Sequence, residues 1–187
     1  TTPNTFAATS NMLLAVRAKP VFCDIRLDNH NIDENKVEKL VTSGTKAIVP
    51  VHFAGHPCDM DKINDIAKRH NLIVIEDACH ALGASYKNKK IGSIGDMSVF
   101  SFHPVKSITT GEGGAILTNN PGFYKKFLHL RTHGITKDEK GFNVMTALGY
   151  NYRITDIQTA LGLSQLKKLD KFIKARQGIF DTYKKEL

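Results

Sequence analysis

Cysteine is scarce in this sequence, and long apolar runs are missing from it. The three cysteines, Cys23, Cys58 and Cys79, form no Cys-x-x-Cys pair. Neither a zinc site nor a disulfide framework is therefore expected, and buried thiols in a reducing cytoplasm account for them. No apolar stretch approaches the roughly 20 residues that cross a bilayer. The longest runs are strand-like, such as Leu72 to Ile75, so no membrane partner is expected. The opening Thr1-Thr2-Pro3-Asn4-Thr5-Phe6 has no initiator Met, basic n-region or apolar h-region. It does not resemble a signal peptide, and the sequence reads as part of a longer chain. A Gly-x-x-x-x-Gly-Lys-Ser/Thr loop and the spacing of a Rossmann fingerprint are both lacking, which excludes nucleotide binding by either device.

What is present belongs to an ordinary globular protein: 187 residues, 41% hydrophobic and 24% charged, enough for one well-buried domain. The net charge of +8 is spread over scattered lysines. Without one dense basic stripe, nucleic acid is not an expected partner, whereas an anionic substrate such as a nucleotide diphosphate suits the charge.

Short apolar or β-branched runs at Pro20 to Ile25, Ala47 to Phe53, Leu72 to Glu76, Met97 to Phe102 and Ala115 to Thr118 read as strands. Between the early ones lie helical patterns. Asp33 caps a helix carrying Val37, Leu40 and Val41 on one face and ending at Gly44, and a second helix runs from about Asp59 to His70 with Ile63, Ile66 and Ala67 inward. This alternation predicts an α/β fold with a mostly parallel sheet covered on both faces. Beyond Asn120 the pattern turns to helix and loop, and Thr155-Asp156-Ile157-Gln158 has the spacing of a capping box opening a long helical stretch to Leu187.

In such sheets ligands sit at the carboxyl ends of strands. There the sequence offers Glu76-Asp77-Ala78-Cys79-His80, then Ser101-Phe102-His103-Pro104-Val105-Lys106, and His52. An acid, an imidazole, a hydroxyl and an amine thus converge on one edge. Taken singly, Asp77 serves equally well as a helix cap, and a lysine in a Gly-, Ser- and Thr-rich loop is ordinarily solvated. Phe6 alone would read as core, and Asn151 and Arg153 as a turn before the Thr155 cap. His52, His103 and His133 read as structural or substrate-lining.

Together these segments resemble a known family. Thr2-Pro3-Asn4-Thr5-Phe6, Glu76-Asp77-Ala78-Cys79-His80, the run ending at Lys106, Gly111-Glu112-Gly113-Gly114 and Gly149-Tyr150-Asn151-Tyr152-Arg153 are similar, in order and over essentially the whole chain, to the DegT-type sugar aminotransferases. These are fold type I enzymes dependent on pyridoxal 5'-phosphate (PLP), with a three-layer α/β/α large domain. The resemblance implies a cofactor-binding large domain over residues 1–154, lacking its N-terminal part. A helical segment over 155–187 would lead to a truncated small domain. It implies Lys106 as the lysine that binds PLP covalently and moves the proton, Asp77 at the ring nitrogen, His80 at the ring hydroxyl, Phe6 stacked on the ring and Ser101 at the phosphate. Asn151 would reach the phosphate of a partner subunit, so a homodimer with a shared site is implied, and Arg153 would meet an anionic substrate group.

The His103-Pro104-Val105-Lys106 wording and Ile108-Thr109-Thr110 most resemble the branch that makes pseudaminic acid. That branch takes the amino group of L-glutamate to C4 of a UDP-linked 4-keto-6-deoxy sugar. Two readings compete with it. PLP-dependent sugar dehydratases share the scaffold but carry His where the transaminases carry the lysine, and a non-catalytic PLP-binding fragment would keep the fold without turnover.

Overall fold

A computed structural model describes residues 1–187. In chain order the helices are α1 (Ala8–Ala15), α2 (Glu34–Val37), α3 (Met60–Arg69), α4 (Pro121–Arg131), α5 (Asp156–Leu166) and α6 (Leu169–Glu186). The strands are β1 (Ala47–Ile48), β2 (Ile73–Asp77), β3 (Ser85–Tyr86), β4 (Lys89–Lys90), β5 (Met97–Ser101), β6 (Gly114–Leu117), β7 (Ile135–Lys137) and β8 (Asn143–Met145).

The central sheet has the order β1-β2-β5-β6. Its first three strands run parallel and β6 runs antiparallel to β5, as the expected mostly parallel α/β sheet requires. Helix α3 forms because Asp59 caps it, its side chain accepting from the Lys62 N–H. Apolar residues at helical spacing then bury Ile63, Ile66 and Ala67 in one cluster with Ile48 and Val74 of the sheet. Each such side chain contributes about 1.5–3 kcal/mol when fully buried. Helix α1 lies over the opposite sheet face. No helix is long and apolar enough to cross a membrane.

Several expected elements change form. Pro20 to Ile25 is not a strand: only Ile25 makes a bridge, to Ile32. The Val21 carbonyl accepts from the Thr1 amine, the Cys23 N–H donates to the Thr1 carbonyl and the Asp24 carbonyl accepts from the Asp33 N–H, isolated bonds that do not make a ladder. The expected strand from Ala47 shortens to two residues because Pro50 has no N–H to give. The parallel alignment nevertheless continues, with Asp77 N–H donating to the Pro50 carbonyl and His52 N–H to that of Asp77. Asp33 caps as expected, but the α-helix it opens tightens after Val37 into a 3-10 turn over Glu38–Leu40. The Thr155–Gln158 capping box is present in both directions, yet the stretch it opens breaks at Lys167 and Lys168 into α5 and α6.

Candidate functional site

Side chains alternate across a strand, so neighbours in β2 and β5 face opposite ways. Val74, Glu76, Ser98 and Phe100 are buried. Ile75, Asp77, Val99 and Ser101 point to the other face, where they join Val49 and Val51 as the floor of a cleft of about 720 Å³. Ala8, Thr9, Met12 and Leu13 of α1 form its other wall, and Phe6, His80, His103, Lys106 and Glu112 stand at its edge. Five residues expected around a cofactor, Phe6, Asp77, His80, Ser101 and Lys106, therefore line one cleft although 100 positions separate the first from the last.

Asp77 ends β2 half-buried, with each carboxylate oxygen held by one donor. Oδ2 accepts from Thr9 Oγ1 at 2.7 Å and Oδ1 from the Cys79 N–H at 3.2 Å. Lys106 lies on the loop that leaves β5, its backbone N–H donating to the His103 carbonyl. Its amine makes neither a hydrogen bond nor an ion pair. The loop is tied at its base, the Thr110 N–H and the Thr109 hydroxyl both donating to the Phe102 carbonyl. The glycines that follow serve this return. Gly113 takes φ +149°, and a Cβ on Gly114 would lie 2.5 Å from the Phe100 carbonyl oxygen.

Burial, and then the nearby Lys106 charge, lower the pKa of His80 from its ordinary 6.5, so its imidazole is neutral near pH 7. Burial, followed by the charge of Asp77, pushes the Cys79 thiol up to about 12. A thiol that stays protonated is a poor nucleophile. Ser101 Oγ accepts from the His103 N–H at 3.3 Å and keeps its own proton to donate. Phe6 is 79% exposed, so it is not a core residue. No group of His, Cys, Asp and Glu side chains is placed to hold a metal ion.

The donor set fits PLP on these observations: an amine without a partner, a carboxylate whose two oxygens are each only singly engaged, a free hydroxyl and an aromatic ring at the rim of a cleft of adequate size. Asn151 and Arg153 do not line the cleft of their own chain. Asn151 is exposed, bridges Thr132 and accepts from the Arg153 N–H at 3.4 Å in a local turn. His133 is likewise remote, holding φ +61° after α4.

His52 is structural. It is fully buried, and its Nδ1 accepts from the Cys58 N–H at 3.1 Å, so the ring proton sits on Nε2 and is donated to Glu76 at 2.9 Å. Glu76 also accepts from Ser98 Oγ and the Gly95 N–H, both at 2.7 Å. Burial works to raise its pKa, but these three donors together hold it below the ordinary 4.5. Its stabilising effect is thus complete above that value and is lost as the pH falls through the lowered one. Glu76→Ala strands two buried donors, His52 and Ser98, and the half-buried Gly95 N–H, and urea titration at pH 7 should show roughly 3–5 kcal/mol less stability. The deficit should narrow in acid; a loss under about 1 kcal/mol would show that the network relaxes around the gap.

Sequence reasoning missed Thr9, which lies in the first turn of α1 with its hydroxyl 2.9 Å from that of Thr5 in the segment before the helix. It also missed α1 as a wall of the cleft, because α1 has no capping side chain at Ala7 and buries no residue.

A model of the DegT/DnrJ/EryC1/StrS aminotransferase family matches residues 1–187. The chain is 51% identical to a UDP-4-amino-4,6-dideoxy-N-acetyl-beta-L-altrosamine transaminase of Campylobacter jejuni, covering 100% of the chain and 50% of that protein. It is 44% identical to a GDP-perosamine synthase of Caulobacter vibrioides, covering 98% of the chain and 49% of that protein. Among solved structures, Helicobacter pylori PseC, an aminotransferase involved in the biosynthesis of pseudoaminic acid, superposes with a TM-score of 0.86 at 45% identity. That match covers 90% of this chain and 45% of PseC. The chain spans about half the length of the curated relatives it matches.

Proposed function

The chain belongs to the DegT/DnrJ/EryC1/StrS aminotransferase family, and from that premise we propose that the complete protein is a PLP-dependent transaminase acting on a nucleotide-linked keto-sugar. The observation that carries the reading is the convergence of an unpartnered Lys106 amine and the Asp77 carboxylate in one cleft. The proposed amino donor is L-glutamate, which leaves as 2-oxoglutarate. The acceptor is C4 of a UDP-linked 4-keto-6-deoxy sugar, supported by the 51% identity to the Campylobacter enzyme so named.

Bound PLP would supply an electron sink and the carbon that carries the amino group between substrates. Lys106 would be the residue that holds it covalently and would serve as the base and acid that moves the proton. Asp77 would keep the ring nitrogen protonated, His80 would meet the ring hydroxyl, Phe6 would stack on the ring and Ser101 would donate to the phosphate. Arg153 meets an anionic group of the substrate, and Asn151 serves the site of a second subunit in a homodimer, a placement consistent with its distance from its own cleft. Residues 155–187 lead toward a small domain. Three free thiols support the cytoplasm as the compartment. Lysine at position 106 favours transamination over dehydration, which uses a histidine there.

Borohydride reduction of the PLP-loaded complete protein, followed by peptide mapping, tests this. A single pyridoxyl label on Lys106 is expected, and a label on any other lysine refutes the reading. Supplying L-glutamate with UDP-, GDP- and dTDP-linked 4-keto-sugars should give 2-oxoglutarate and an amino-sugar fastest with the UDP substrate. A PLP-loaded protein inert to glutamate would be the non-catalytic alternative.

A further inference from the structure

Asp77 is not held by the strand alone. Its Oδ2 accepts from Thr9 Oγ1 at 2.7 Å, and Thr9 Oγ1 lies 2.9 Å from Thr5 Oγ1. A hydroxyl has one proton. Thr9 commits that proton to the carboxylate, which cannot donate one back in its charged form, so Thr5 must be the donor to Thr9. The hydroxyls therefore form a one-way chain, Thr5 to Thr9 to Asp77. Each hydrogen bond in such a chain polarises the next in the same sense, and the chain ends on a negative charge. The Cys79 N–H meets the other oxygen, Oδ1, at 3.2 Å. With one donor on each oxygen, the plane of the carboxylate is fixed, and its remaining lone pairs are left for the cleft.

We propose that Thr9 is a positioning residue, acting through Asp77: it sets the orientation of the carboxylate that grips the cofactor's ring nitrogen, and Thr5 supports it from behind. The inference rests on the PLP reading given above. The residues that carry it come from different parts of the chain, 68 positions apart in the case of Thr9 and Asp77. Thr9 belongs to α1 and Asp77 to the sheet, so the bond also locks the wall of the cleft to its floor. Because α1 buries no side chain, this polar tie has little apolar packing to substitute for it.

A side chain of the same shape without the hydroxyl isolates the effect. In the complete protein, Thr9→Val should bind PLP about tenfold more weakly, the scale of one hydrogen bond to a charged group. With PLP carrying nitrogen-15 in the ring, the ring-nitrogen resonance should move toward its unprotonated position, a change that loss of packing alone would not produce. Thr9→Ser restores the hydroxyl and should restore both readings. If the valine variant does not fold, Thr9→Ala gives the same comparison without a β-branched side chain in the helix. An unmoved ring-nitrogen resonance in the hydroxyl-free variant, or a serine variant as impaired as it, overturns the proposal. Failure of the unsubstituted protein to take up reducible PLP would instead overturn the PLP reading itself, and would be seen before any Thr9 variant was compared.

Discussion

Lys106→Ala should abolish amino transfer and leave no cofactor that borohydride can fix to the protein, while the far-ultraviolet circular dichroism and the thermal midpoint stay near those of the parent. The chemical loss is total because no second amine stands among the residues lining the cleft, and the only thiol there is held protonated, its pKa pushed up to about 12. The fold survives because the Lys106 side chain makes no hydrogen bond or ion pair and the loop that carries it is tied through backbone groups of Phe102 and Thr110. The same variant also tests the shared site. Mixing Lys106→Ala subunits with Asn151→Ala subunits, each inactive or nearly so alone, should regenerate activity if Asn151 serves the partner. The mixed dimer then contains one cleft with both native groups. Sites built wholly within one chain would give no recovery. Residual amination by purified Lys106→Ala would defeat the assignment of the nucleophile.

Asp77→Ala should fail in a different way. The covalent link to Lys106 should still form and remain reducible, since the amine is untouched, but turnover should fall by roughly 10²–10³-fold, the scale for removing one charged group aimed at charge developing in the transition state. The fall should appear in kcat more than in KM, because in the proposed role the carboxylate acts on the cofactor ring and not on the sugar. PLP affinity should drop as well. Asp77→Asn keeps the shape but removes the charge, and its single amide oxygen can accept from Thr9 or from the Cys79 N–H but not from both, so it should resemble the alanine variant in kcat. If Asp77→Asn instead keeps most of the rate, charge at the ring nitrogen is not what Asp77 provides.

Much of the scaffold was legible because its signals are local. Asp59 followed by Ile63, Ile66 and Ala67 marks both the start and the buried side of α3, and Ile73 to Ile75 reads as a strand covered on both faces. The residues that meet in the cleft were legible only as a set: no one of Phe6, Asp77, His80, Ser101 or Lys106 is distinctive, but their order along the chain is. The β7–β8 hairpin was not foreseen, because all of its residues are exposed and an exposed hairpin has no inward apolar alternation to read. The Pro20 to Ile25 expectation failed for the opposite reason. Its β-branched and apolar residues have strand propensity, but a ladder needs a neighbour, and which backbone lies alongside is decided by the tertiary fold. The tie from Thr9 to Asp77 joins residues too far apart in the chain for either to announce the other.

Glu76 and Asp77 are neighbours with opposite destinies: one is sealed among His52, Ser98 and Gly95, the other opens into the cleft. A deletion or insertion of one residue earlier in β2 would exchange them, turning the buried anchor outward and driving the cleft-facing carboxylate into the core. The strand therefore allows no graded drift between the two arrangements. A frame error there would remove foldedness and chemistry in the same stroke, and substitutions that keep the count of residues are the only changes through which this site can be tuned.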